Sequence, residues 1–139
     1  MVTLRENELD VETYLYLREK VGWRKLSDNQ AHCAVNNCLF NVTAYIDGKP
    51  VGMGRVVGDG AVISYIQDLV VIPDCQGQNI GSTIIKRLIE YVDSITEEGT
   101  QMMLCLMCAK GREEFYHKHN FISRPTPELG PGMIQYIRK

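Results

Sequence analysis

Apolar residues recur along this chain with two different periods, and the switches between them mark its elements. Residues 9–21 place Tyr14, Leu17 and Val21 at i, i+3 and i+7, which predicts a helix with Asp10 as N-cap and Gly22 as stop. Ser27-Asp28-Asn29-Gln30 is a second start signal and predicts a short helix to about Asn36. Three strands are expected next: Phe40–Ile46, Val51–Val57 interrupted by Gly52 and Gly54, and Ala61–Ile72, the longest. Asp47-Gly48 is a two-residue hairpin signal, Gly58-Asp59-Gly60 marks the next turn, and Pro50 suits a strand rim. From about Gln78 to Ser94, Ile80, Ile84, Ile85, Leu88, Ile89 and Val92 form one face of a helix. Gln101–Cys108 reads as a buried strand and Arg112–His119 as a short helix. Phe121–Arg124 and Met133–Ile137 read as closing strands around a Pro/Gly-rich loop over 125–132.

This order, helices, then an antiparallel meander, then strand–helix–strand–helix–strand, predicts one α/β (α+β) domain over residues 1–139, with a mixed central sheet flanked by helices. Residues 61–108 have the form of a βαβ crossover, so strands 61–72 and 101–108 should be parallel. Regular alternation puts Tyr65, Gln67, Leu69 and Val71 on one face and Ser64, Ile66, Asp68 and Val70 on the other.

Composition narrows the classes. At 139 residues the chain is one domain by prior, with 45% apolar and 23% charged residues, as in ordinary globular proteins. A net charge of −2 gives no pull toward nucleic acid. Apolar runs fall short of the ~20 residues of a membrane helix. Met1–Asp10 is polar, with Arg5, Glu6, Glu8 and Asp10, and lacks a signal-peptide core, so a cytoplasmic protein is expected. Cys33, Cys38, Cys75, Cys105 and Cys108 are odd in number and scattered, which disfavours a disulfide framework. Cys105-x-x-Cys108 has no partner ligands for zinc and lies in a strand-like run, so it reads as buried small hydrophobes and no metal is expected.

The most informative stretch is Asp68-Leu69-Val70-Val71-Ile72-Pro73-Asp74-Cys75-Gln76-Gly77-Gln78-Asn79-Ile80-Gly81-Ser82, a strand, a loop and a helix start. Unpaired amides and the positive end of a helix dipole make such a place an anion site. No Lys follows Gly81, which excludes a P-loop, and the spacing fails the dinucleotide fingerprint. Gln76-Gly77-Gln78-Asn79-Ile80-Gly81-Ser82 resembles the pyrophosphate loop of the GNAT superfamily of N-acetyltransferases, Arg/Gln-x-x-Gly-x-Gly/Ala. Leu69-x-Val71-x-Pro73 resembles the strand end that precedes that loop, and Phe115-Tyr116-His117-Lys118-His119-Asn120-Phe121 resembles the family's Phe/Leu-Tyr-x-x-x-Gly-Phe stretch. The match spans roughly residues 9–139 by segment order. Asn79 and Asn120 stand where glycines are usual, and Asn is the side chain that best tolerates φ > 0. Ala109 stands where many relatives place a cofactor-contacting Asn, with Lys110 or Arg112 as electrostatic substitutes.

The resemblance implies acetyl-CoA as co-substrate, held between splayed strands by the backbone of Leu69, Val70 and Val71 and by the amides of Gln76, Gly77, Gln78, Asn79, Ile80, Gly81 and Ser82. It implies direct attack of a primary amine on the thioester, with a backbone N–H near Val70 stabilising the oxyanion. Tyr116 occupies the general-acid position, and a tyrosine pKa of ~10 keeps its proton in place at neutral pH. Asp68 is the candidate base; a structural carboxylate is the alternative, and water-relayed deprotonation needs no dedicated base. His32, His117 and His119 are weaker candidates. Trp23, Arg24, Tyr14 and Tyr16 belong to the region that shapes acceptor pockets in relatives. A small-molecule amine is expected ahead of a protein amine as acceptor. Pairing across a two-fold axis at Met133–Ile137 would make a homodimer. A non-catalytic acyl-CoA-binding or sensing domain on the same scaffold is the competing reading.

Overall fold

The computed structural model describes residues 1–139, which cluster into two compact units, Met1–Leu106 and Met107–Lys139. The first unit holds the sheet. Its elements are β1 (Val2–Glu6), α1 (Val11–Lys20), α2 (Asp28–Asn36), β2 (Phe40–Ile46), β3 (Lys49–Gly58), β4 (Ile63–Val71), a 3-10 turn (Pro73–Cys75), α3 (Ile80–Ile95) and β5 (Met103–Cys105). The five strands lie in the order β1-β2-β3-β4-β5; the first three pairings are antiparallel and β4–β5 is parallel, the mixed sheet that the element order predicts.

Local chemistry explains the helix starts and the tight turn. The Asp10 carboxylate accepts from the Thr13 N–H at 2.7 Å. Ser27 and Gln30 form a capping box, each side chain accepting the other's backbone N–H at 3.0 Å. Asp47 and Gly48 take φ of 50° and 74°, the left-handed pair that a tight hairpin between β2 and β3 requires.

β1 is an element that the sequence pattern does not predict at first sight. Its charged residues mask an alternation of Val2 and Leu4 with Thr3 and Arg5, a half-buried edge pattern. It pairs in register with β2 from Val2↔Ile46 to Glu6↔Val42.

The two faces of the sheet are packed differently. A Cβ at Gly54 would meet Leu88 and Ile84 of α3, and one at Gly52 would meet the Val70 carbonyl oxygen at 2.8 Å, so these glycines let α3 and the neighbouring strand approach closely. Ile80, Ile84, Ile85, Leu88 and Val92 are buried along α3, as their spacing predicts. Met53, between the two glycines, points the other way and packs with Leu9, Tyr14, Leu17, Ala31 and Val70.

Regular alternation along β4 fails at one point. Met53 pairs with Val70 and Arg55 with Gln67, so Asp68 and Leu69 together oppose Gly54. This is a β-bulge, with Asp68 at φ 60°. Tyr65 and Gln67 therefore share the face of Arg55 and Met53 with Val70, while Leu69 comes within 3.5 Å of a Cβ at Gly54 on the α3 face. The expected grouping of Leu69 and Val71 with Tyr65 and Gln67 is corrected accordingly.

β5 is shorter than the expected strand 101–108. Met103 is exposed, Cys105 half-buried and Cys108 exposed, so the two cysteines are not the buried pair that the apolar run suggested. The second unit carries α4 (Glu113–His117). Neither Phe121–Arg124 nor Met133–Ile137 forms a strand. Pro125 removes a donor at the end of the first, and the second places Met133-Ile134 and Tyr136-Ile137 as adjacent pairs, not in alternation. Met133, Ile134, Tyr136 and Ile137 are all exposed, and the edge on which two-fold pairing was expected is absent from the single chain.

Candidate functional site

The β4–β5 ladder has only three pairs, Ile63↔Met103, Ser64↔Leu104 and Tyr65↔Cys105. β4 then runs on to Val71 with no strand paired on that edge. The Ile72 N–H donates to the Val51 carbonyl at 2.9 Å on the β3 side. Successive amides of a strand face opposite edges, so the N–H groups of Val71 and Leu69 face the unpaired one. The sheet thus opens beyond Tyr65, ahead of the bulge, and presents backbone donors along the rest of β4.

The loop after β4 is built to leave more. The Gln76 side chain donates to the Val71 carbonyl at 2.9 Å, tying the loop to the strand end. Gly77 has φ 81°, with nothing within 4 Å of where a Cβ would stand. Asn79 is the N-cap of α3 at φ 63°, ψ 15°, and its side chain makes no capping bond. Asparagine thus holds the left-handed backbone expected where a glycine is usual. The first turn ends where the Thr83 N–H and hydroxyl both donate to the Asn79 carbonyl, at 3.0 and 2.9 Å. The amides of Ile80 and Gly81 have no side-chain acceptor, and they lie at the positive end of the α3 dipole. A diphosphate fits this combination of open space over Gly77 and outward donors.

Asp68 lies on the other side of the same strand, fully buried. Its Oδ1 accepts from Arg18 Nη1 at 2.9 Å and from Gln67 Nε2 at 3.2 Å. Its Oδ2 accepts from the Tyr14 hydroxyl at 2.6 Å and from Arg55 Nε at 3.0 Å. Arg55 in turn donates to the Ala34 carbonyl at 2.9 Å, tying in α2. Burial, reinforced by the hydrogen bond to Asp68, pushes the Tyr14 hydroxyl pKa up to about 12. Burial is the largest single influence on Arg55 and lowers its pKa, but the charge of Asp68, the Tyr14 hydroxyl, the hydrogen bond to Asp68 and Cys38 together outweigh it, so the net shift is upward and Arg55 stays cationic. Arg18 and Arg55 were not singled out in the sequence. Arg55 carried the signal: a charge at an inward position in the apolar run 51–57 demands a buried partner.

Arg18 leads from this network to a cavity of about 470 Å³, lined by Arg18, Glu19, Trp23, Arg24, Lys25 and Leu26 among others. Its guanidinium lies 5.3 Å from the Trp23 ring centroid, and Nη2 donates to the Arg24 carbonyl at 3.1 Å. The size suits a small organic molecule.

Tyr116 belongs to the second unit. Its ring meets Phe115 and Phe121 edge-on, at 5.1 and 6.0 Å. Asn120 holds φ 68°, again the left-handed backbone expected of a glycine substitute. His117 is held by the Glu114 carboxylate at 3.2 Å and Ser123 Oγ at 2.8 Å; the His32 ring contacts the Asp28 carbonyl at 2.8 Å.

Residues 36–123 match the family described as "Acetyltransferase (GNAT) domain". A solved Staphylococcus aureus protein of unknown function, named a probable acetyltransferase, superposes with TM-score 0.85 at 31% identity, over 100% of both chains. An uncharacterized N-acetyltransferase of Pyropia yezoensis is 27% identical over 88% of this chain and 69% of its own length. Serotonin N-acetyltransferase 2, chloroplastic, of Oryza sativa is 40% identical over 58% of this chain, which spans only 42% of that relative.

Proposed function

The chain belongs to the GNAT acetyltransferase family, and from that premise we propose that it moves the acetyl group of acetyl-CoA onto a primary amine by direct attack in a ternary complex. The observation that carries this reading is the uncapped start of α3, with Asn79 left-handed, directly after the open edge of β4. The amides of Gly77, Gln78, Asn79, Ile80, Gly81 and Ser82 hold the pyrophosphate, with Gln76 bracing the loop. Leu69, Val70 and Val71 line the pantetheine arm as an added strand would. The amides facing the open edge, Leu69 or Val71, polarise the thioester oxygen as it gains negative charge.

The amine attacks the thioester carbon, the tetrahedral intermediate collapses, and the thiolate leaves with a proton from Tyr116. Asp68 has no part in proton transfer: four donors occupy its two oxygens, and taking a proton would break that set. Water relays the amine's proton instead. Trp23 and its neighbours seat the acceptor, a small amine. Arylalkylamines are the first to try, given Trp23 in the cavity wall and the name of the rice relative.

Free-thiol release from acetyl-CoA, measured across arylalkylamines, polyamines, aminoglycosides and lysine peptides, tests the reading. Tyr116→Phe should lower kcat by about 10²-fold with acetyl-CoA affinity unchanged. Acetyl-CoA binding without amine-dependent thiol release from any acceptor would favour a sensing domain.

A further inference from the structure

Of the side chains lining the Trp23 cavity, Arg18 alone bonds to Asp68 in the β4 bulge. Its planar fork spans two parts of the fold. Nη1 holds the carboxylate of β4 and Nη2 holds the Arg24 carbonyl of the α1–α2 loop. The Trp23 ring lies 5.3 Å and the Tyr14 ring 5.7 Å from its central carbon. Arg18 Nε is buried with no hydrogen-bond partner, so the side chain forgoes one hydrogen bond in this pose. A lysine has no fork to reach both acceptors.

Asp68 needs such support. A non-glycine residue at φ 60° within a strand is strained and persists only where its surroundings over-determine it. Tyr14, Arg18 and Arg55 supply that constraint, and only Arg18 extends it to the cavity wall. Resting on the acetyl-transfer reading, we propose that Arg18 is a positioning residue that couples the acceptor cavity to the bulge from which the β4 amides turn to the open edge. An acceptor seated against Trp23 and Arg24 steadies Arg18, Arg18 steadies Asp68, and the bulge holds the amides at the thioester. Acceptor contacts thereby raise turnover and not affinity alone.

Trp23 is the single tryptophan of the chain, so its fluorescence reads the cavity wall directly, with or without activity. In the protein with Arg18 intact, Asp68→Asn should change the emission maximum and acrylamide quenching of Trp23, which it does not touch. In Arg18→Met and Arg18→Lys backgrounds the same substitution should leave both unchanged. Where Asp68→Asn fails to fold, Tyr14→Phe replaces it. In kinetics, Trp23→Phe and Asp68→Asn should be non-additive in kcat/KM by about three-fold or more with Arg18 present, and additive in the Arg18→Met and Arg18→Lys backgrounds. Acetyl-CoA affinity should be unchanged throughout. Additivity together with unchanged fluorescence when Arg18 is intact, or coupling that persists without Arg18, would overturn the proposal. If no amine releases thiol, the acetyl-transfer reading fails on its own and the fluorescence still decides whether Arg18 links the cavity to the bulge.

Discussion

The two faces of the sheet solve the same packing problem with opposite chemistry. Against α3, Ile84 and Leu88 close on Gly52 and Gly54, and burial is almost wholly apolar. Against α1 and α2, the layer that contains Leu17 and Met53 also contains Asp68, Arg55 and most of Arg18. Buried ions are held at a desolvation cost that an apolar core of equal volume avoids. The α3 face is therefore a platform for the loop at its N-terminus. The α1–α2 face accepts that cost where the bulge and the Trp23 cavity meet.

The largest expected effect breaks the polar face. Asp68→Ala leaves two guanidinium groups buried without their counter-charge and should lower unfolding free energy by about 3–5 kcal/mol in urea titration. Leu88→Ala on the apolar face should lower it by about 2–5 kcal/mol through cavity formation, while acetyl-transfer KM for the amine stays unchanged. Gly52→Ala pushes a Cβ to 2.8 Å from the Val70 carbonyl, a backbone atom that cannot rotate away, and should cost about 1–3 kcal/mol. Tyr14→Phe removes one hydrogen bond to a buried carboxylate and should cost about 1–3 kcal/mol.

Tyr14 also sets a pH signature. Its pKa is raised from about 10 to about 12 in the folded state, so the folded protein holds this proton more tightly. The associated stability is complete below about pH 10 and is lost as pH rises toward about 12. Denaturation across that window should show a steeper fall for the unsubstituted protein than for Tyr14→Phe. No such difference is expected for Leu88→Ala relative to its parent.

Most of the meander, α3 and the parallel crossover were legible, because periodicity and turn residues act locally. Phe40–Ile46 matched residue for residue, and Asp10, Ser27 and Asp47-Gly48 carried their own caps and turn. The loop was legible for the same reason: Gly77 and Asn79 are backbone signals. The Arg18–Asp68–Arg55–Tyr14 network was not, because its members lie up to 54 positions apart and only the fold joins them. The bulge at Asp68 was equally hidden: an aspartate in a strand does not announce a left-handed backbone, and period-2 reasoning carries across it unaware. The closing strands failed because apolar content was read without its period: Pro125 removes a donor at the end of the first, and the apolar residues of the second fall in adjacent pairs and not in alternation.

The proposed function stands or falls with acetyl-CoA lying along the open edge of β4, its pyrophosphate on the first turn of α3. Backbone-amide NMR during an acetyl-CoA titration is the decisive experiment. Saturable shifts should concentrate at Leu69, Val71 and Gly77–Gly81, with the amides of β1 and the C-terminal half of α3 still. Saturable shifts confined elsewhere, or none at all, would contradict it.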